Sequence, residues 1–296
     1  MPTAEKLIEE KLKLYELNGL FKEVRKIQTY VFKNAVDFYI AEKNKLSDKS
    51  FMTTGTLAAT AVNQFEKRLS DAIVKNAGYR SEIRKYMTSF DTIDRFNVKL
   101  HRQINGVDIK SIINLANKQK RDLVNRTAGN VLSEISETSV WDNLAGRSMR
   151  DQFTKPVKKI LYQNIMQGSP QSEAKKALHD FIVGNKKLKR IGRLERWSGQ
   201  IARDTLSQYD GAINDMVRKE FDLDGWLYVG SLVKDSRPQC VRWKRMKEIP
   251  VKILPKELAN PMNKGQIPGT TRDNFGTYKG GYNCAHSAFP IRLTNK

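Results

Sequence analysis

A chain of 296 residues is long enough to bury a sizeable core, as one large or two modest domains. Two cysteines exclude a disulfide scaffold and fit a reducing compartment, and no apolar run approaches the roughly 18–20 residues of a membrane-spanning helix. The 53 Lys+Arg against 32 Asp+Glu leave +21, a field that suits a polyanionic partner such as nucleic acid, or else lysine-rich solvated helix faces.

The N-terminal Met1-Pro-Thr-Ala-Glu-Lys-Leu-Ile8 lacks the apolar core of a signal peptide, so synthesis in a cytoplasm is expected. Ile8, Leu12 and Tyr15 form a short apolar stripe that ends at Asn18-Gly19. Val24, Ile27, Val31, Ala35 and Phe38 continue at helical spacing to about Lys45, where Ser47–Ser50 break it. Ala58, Val62, Phe65, Leu69 and Ile73 form a third stripe, stopped by Gly78. Asn105-Gly106 reads as a helix stop, with Asp108 capping a helix from about Ile109 towards Glu137.

The pattern lapses around Trp141–Gly146. A helix from about Asp151 to Met166 comes next, with Pro156 near its start or kinking it. In Gly168-Ser-Pro170 the serine suits an N-cap and the proline the first helical position. Ala174, Leu178, Phe181 and Ile182 mark the next helix. From about Leu194 to Glu220 runs a continuous face of Ala202, Leu206, Tyr209, Ile213 and Met216.

At Asp222–Gly225 the character changes. Trp226–Val233 is β-prone, and Pro238, Pro250, Pro255, Pro261, Pro268 and Pro290 punctuate the rest of the chain. The fold class expected is mainly α: helical N-terminal two thirds followed by a small α+β C-terminal domain. Residues 1–222 make an elongated or bundled helical region. Residues 223–296 make the small domain, led by a helix over about 194–220, with strands confined to about 226–293.

Cys240, Cys284 and His286 share this last segment, and three readings stay open. As a zinc set they lack a fourth ligand, and 43 residues separate the cysteines. As a Cys–His nucleophilic pair they lack a thiol-protease signature. As packing residues the cysteines would pin a turn to a strand, or form a disulfide outside the cell. No cofactor is expected. Asp235-Ser-Arg-Pro238 reads as a turn in which Arg237 could fork onto a carboxylate. Gly280-Gly281 supplies positive φ or close backbone approach. Arg203 and Asp210, two turns apart, read with Asp204 as hydrogen-bonding posts between elements. The densest basic cluster is Lys186, Lys187, Lys189, Arg190, Arg193 and Arg196, opposed only by Glu195; it is the best local candidate for binding DNA phosphates.

The order of Ala202-Arg203-Asp204, Tyr228-Val-Gly230, Asp235-Ser236-Arg237-Pro-Gln-Cys240, Gly280-Gly281-Tyr-Asn283-Cys284-Ala-His286 and Phe289-Pro-Ile291 resembles the C-terminal domain of the phage head morphogenesis family, the Mu F-like minor head proteins. The likeness spans about residues 195–291. It departs where Asp204 places the acid one position early and where Ala285 replaces a usual Arg. The resemblance implies a low-copy, non-enzymatic virion protein at the portal or inner capsid, acting in head assembly or in genome packaging or ejection. Portal or capsid proteins, and packaged double-stranded DNA met electrostatically, are the partners implied. The rival is a basic DNA-processing enzyme or toxin-like nuclease that uses the Cys/His domain.

Overall fold

The computed structural model describes residues 4–14, 18–46, 50–116, 140–185, 187–282 and 284–293. The expectations for Tyr15, for the helix course over 117–137, for Lys186 and for Asn283 lie outside the described residues. The chain is mainly helical with two small antiparallel sheets late in the sequence. Its described residues divide into two compact units. One draws on Leu17–Tyr86 and Trp141–Ile201, the other on Met1–Glu16, Met87–Val140 and Ala202–Lys296.

In the first unit, helices Asn18–Leu46 and Phe51–Lys75 pack with Lys155–Met166 and Gln171–Ile182. Each buries the stripe its spacing dictates: Val24, Ile27, Val31 and Ala35, then Ala58, Val62, Phe65, Leu69 and Ile73, then Ala174, Leu178 and Ile182. Phe38 is half-buried and stacks on Phe65 with ring centroids 4.4 Å apart.

Four local expectations are corrected in this unit. The third stripe stops at Asn76, not Gly78, because the Asn76 side chain accepts the Tyr79 backbone N–H at 2.8 Å and so caps the next helix, Ala77–Asn105. Val140–Ala145 is helical where the apolar pattern lapses. The next helix begins with a turn at Arg147–Met149 and a π-helical stretch at Arg150–Thr154 ahead of Pro156. A proline has no N–H for the carbonyl four residues back. That carbonyl, on Gln152, accepts Arg193 Nε at 3.2 Å instead. Finally, Pro170 and not Ser169 occupies the N-cap, with no side-chain cap bond; the Ser169 carbonyl accepts Tyr39 Oη at 2.5 Å and Lys43 Nζ at 2.6 Å.

A two-residue ladder pairs β1 (Gly184–Asn185) with β2 (Arg190–Ile191), so strands are not confined to 226–293. Asn185 Oδ1 accepts the Leu188 N–H at 3.2 Å and closes the intervening turn.

In the second unit, the Arg193–Glu220 helix buries Ala202, Leu206, Tyr209, Ile213 and Val217, with Met216 only half-buried. The sheet has the order β4-β3-β5, with β3 (Gly225–Val229) antiparallel to both β4 (Glu248–Pro250) and β5 (Ser287–Ile291). The strand ends at Val229 and not Val233, because Gly230 takes φ +130°, outside the extended region, and leaves Leu232 and Val233 exposed. Trp226, Tyr228, Trp243, Ile249, Leu254, Phe275 and Ala288 form the core beneath this sheet. Asp108 does cap as expected, accepting the Lys110 N–H at 3.1 Å, and residues 110–116 are helical. Among the described residues no helix is long and apolar enough to cross a membrane.

Candidate functional site

Three short pieces of chain meet at the cysteines. β3 supplies Tyr228 from its buried face. The helix Pro238–Met246 carries Cys240 in its first turn, with Pro238 pre-setting φ where no intrahelical N–H is needed. The stretch entering β5 carries Cys284 and His286. Antiparallel pairing of Val229 with Ser287 fixes Tyr228 and His286 beside one another. Their rings stack at 5.1 Å with 16° between planes.

The turn between β3 and that helix is closed by Ser236, whose Oγ accepts the Val233 N–H at 2.8 Å and whose N–H donates to the Val233 carbonyl at 2.9 Å. Asp235 is exposed on it. The fork of Arg237 corrects an expectation. It donates to the carbonyls of Gly280 at 2.7 Å and Tyr282 at 2.6 Å, not to a carboxylate. Those carbonyls belong to a tight turn with Gly281 at φ +93°, and a rigid guanidinium matches two convergent acceptors. Gln239, which sequence reasoning passed over, makes a paired bond to the Lys264 backbone at 2.8 and 3.2 Å.

The sulfurs of Cys240 and Cys284 lie 3.9 Å apart, and both thiols are free. His286 Nδ1 lies 3.6 Å from Cys284 Sγ. Tyr228 Oη lies 3.4 Å from Cys240 Sγ and 3.8 Å from Cys284 Sγ. Cys240, His286 and Tyr228 are buried, and Cys284 is half-buried. Gly280 forms the wall: a Cβ there would stand 2.7 Å from Cys240 Sγ, 3.1 Å from Tyr228 Oη and closer still to Cys284 Sγ.

The contact with the Cys240 sulfur holds the Cys284 thiol well below its usual range, with His286 beside it adding to the effect against burial. The same contact, together with burial, pushes Cys240 upward. Burial and the adjacent sulfurs push Tyr228 well above its usual value. His286 Nε2 is buried without a hydrogen-bond partner among the described residues. Cys240, Cys284 and His286 offer three ligand atoms within 4.8 Å of one another, a set among the described residues able to hold a soft metal.

Other expected site residues lie elsewhere. Asp204 is buried and Arg203 half-buried on the Arg193–Glu220 helix. Asp210, on the same helix, does act as a post between elements: it pairs with Lys11 and accepts Asn97 Nδ2 at 3.0 Å. Asp215, unremarked in the sequence, is a second post. It accepts the backbone N–H groups of Gly276 and Thr277 at 2.8 Å and Thr277 Oγ1 at 2.6 Å.

In the basic cluster Lys187, Lys189, Arg190 and Arg196 are exposed. Arg193 is turned inward to the Gln152 carbonyl and side chain. The opposing acid, Glu195, pairs with Arg25 at 2.7 Å, which cancels its charge against the cluster. Compared with known proteins, the chain matches no protein-family model, no curated protein and no solved structure.

Proposed function

We propose that this chain is a minor head protein of a tailed bacteriophage, made in the host cytoplasm and carried in few copies at the portal or inner capsid. It acts in head assembly or in genome packaging or ejection and catalyses no reaction of its own. The reading rests on the resemblance of residues 195–291 to the Mu F-like proteins. The observation that carries it is how the described motif residues interlock: Arg237 grips the turn at Gly280–Tyr282, and Gly280 closes over the sulfurs of Cys240 and Cys284. Motif residues far apart in sequence thus serve one packing unit. Exposed Lys187, Lys189 and Arg190 on the β1–β2 turn and strand suit sequence-independent contact with packaged DNA.

Mass spectrometry of gradient-purified particles tests the reading. The protein is expected in DNA-filled heads at low copy, and deleting its gene is expected to yield particles with little infectivity. Its absence from purified particles would exclude a virion component.

A further inference from the structure

We propose that Cys240, Cys284 and His286 bind one zinc ion through Sγ, Sγ and Nδ1, with the Tyr228 hydroxyl at the fourth corner, as a structural clasp between the helix Pro238–Met246 and β5. The inference goes beyond the head-protein reading and does not depend on it.

Zinc bonds to thiolate sulfur at about 2.3 Å and to imidazole nitrogen at about 2.0–2.1 Å, in a tetrahedral array. Those bond lengths set the edges of the tetrahedron at about 3.8 Å between two sulfurs and about 3.6 Å between sulfur and nitrogen. The structure has 3.9 Å between the sulfurs and 3.6 Å from Cys284 Sγ to His286 Nδ1, with all three ligand atoms within 4.8 Å of one another, so a small inward shift would complete the tetrahedral spacing. Tyr228 Oη sits at edge-like distances from both sulfurs, 3.4 and 3.8 Å. The sequence spacing argues against zinc because no single turn supplies two close cysteines. The pairing of β3 with β5 removes that objection by bringing the two segments together.

Simple cysteine packing requires no imidazole on the sulfurs. Here a buried ring points Nδ1 at Cys284 and is held there by stacking on Tyr228. Tyr228 lies on one side of the three ligand atoms and Gly280 on another, and four protein ligands with no open position would make the ion structural. Binding replaces the thiol protons with the metal, so the affinity rises with pH and protons are released to solvent. His286 Nε2, where zinc-bound histidines ordinarily find a second acceptor, has no partner among the described residues. Affinity should therefore fall below that of a fully supported site.

The test uses the full-length chain, untagged and purified under reducing conditions. Metal analysis is expected to return one zinc per chain. Replacement by Co(II) is expected to give intense tetrahedral d–d bands and a sulfur-to-cobalt charge-transfer band. Cys284→Ser and His286→Ala should lose stoichiometric zinc. Tyr228→Phe, which leaves three protein ligands and a fourth corner open to water, should retain zinc but bind it more weakly than the wild type. Because a ligand variant could misfold, thermal unfolding of the wild-type chain with and without a zinc chelator is read in parallel. Chelation should lower the midpoint, and zinc should restore it. Folded wild-type protein without zinc and without the cobalt bands would overturn the proposal. So would a Cys240–Cys284 disulfide in the freshly purified chain. Either result would leave the particle experiment unaffected.

Discussion

Replacing Asp210 by Ala should destabilise the protein by about 3–5 kcal/mol, since it strands the Lys11 ammonium in the interior. Both partners are fully buried: the Lys11 and Asp210 side chains are 1% and 0% exposed. Burial depresses the Lys11 ammonium despite the carboxylate beside it. For Asp210, the Lys11 charge and hydrogen bonds outweigh burial and hold the carboxyl below its usual range. Lys11 also lies over the Phe289 ring at 4.6 Å, so the pair fastens the Ala4–Lys13 helix within its unit. A Lys11→Met, Asp210→Leu double variant should regain most of the loss, because neither charge then remains to be desolvated. Urea midpoints decide it. A double variant as unstable as Asp210→Ala would contradict this account.

The same interior gives a pH dependence. His101 is held at about 4 by burial, against its hydrogen bond to Asn214 at 2.9 Å. A depressed folded value means that stability is present above pH 6.5 and is lost as the pH falls towards 4, by about 3 kcal/mol in all. Asp215 runs the other way. Burial raises it to about 6 against three hydrogen-bond donors, so its contribution weakens as the pH rises from about 4 to 6. The two slopes oppose each other across that window. The difference between the wild type and His101→Gln isolates the histidine, and it should shrink as the pH drops from 7 to 4.

Trp243→Ala should cost a further large amount, about 3–5 kcal/mol, by opening a cavity under the cysteines. The ring is fully buried, edge-on to Tyr228 at 5.6 Å and to Phe275 at 5.1 Å. Its Nε1 donates to Glu257 at 3.2 Å, and the same carboxylate oxygen accepts Arg242 Nε at 2.8 Å. Without that ring Tyr228 loses its backing, and buried Cys240 should become reactive towards a thiol reagent in the metal-free protein. Unchanged protection of Cys240 would separate Trp243 from the cluster. Trp243→Phe keeps most of the apolar volume and should cost less.

The helices were legible because their stripes repeat at 3–4 residue spacing over many turns, as Ala58 to Ile73 and Ala202 to Ile213 do. The break before Trp226 was legible for the same reason, since branched and aromatic residues come after a Gly. The elements that escaped are set by single side chains. Asn76 ends a helix by capping the next one, and Pro156 draws a π turn whose freed carbonyl is met by Arg193, 41 residues away. Within the site, the packing reading already set Cys240 against Cys284, whereas the approach of His286 to Cys284 depends on the register of β3 and β5, which no local pattern encodes. Tyr228 reads in sequence as the aromatic of the Tyr228-Val-Gly230 motif, and only the fold turns its hydroxyl onto the sulfurs. Arg237 invited a carboxylate partner because charge is visible in a sequence, while convergent backbone carbonyls are not.

The most direct test of the central claim, that the Cys240–Cys284–His286 cluster holds the fold and performs no reaction, compares wild type with His286→Ala. Each purified chain is incubated with double-stranded DNA and with peptide substrates, and its fold is followed by circular dichroism and thermal unfolding. A lower unfolding midpoint in the variant and no cleavage by either protein are the expected results. Cleavage by the wild type that disappears in a variant still folded at the assay temperature would contradict the claim and place an enzyme at this site.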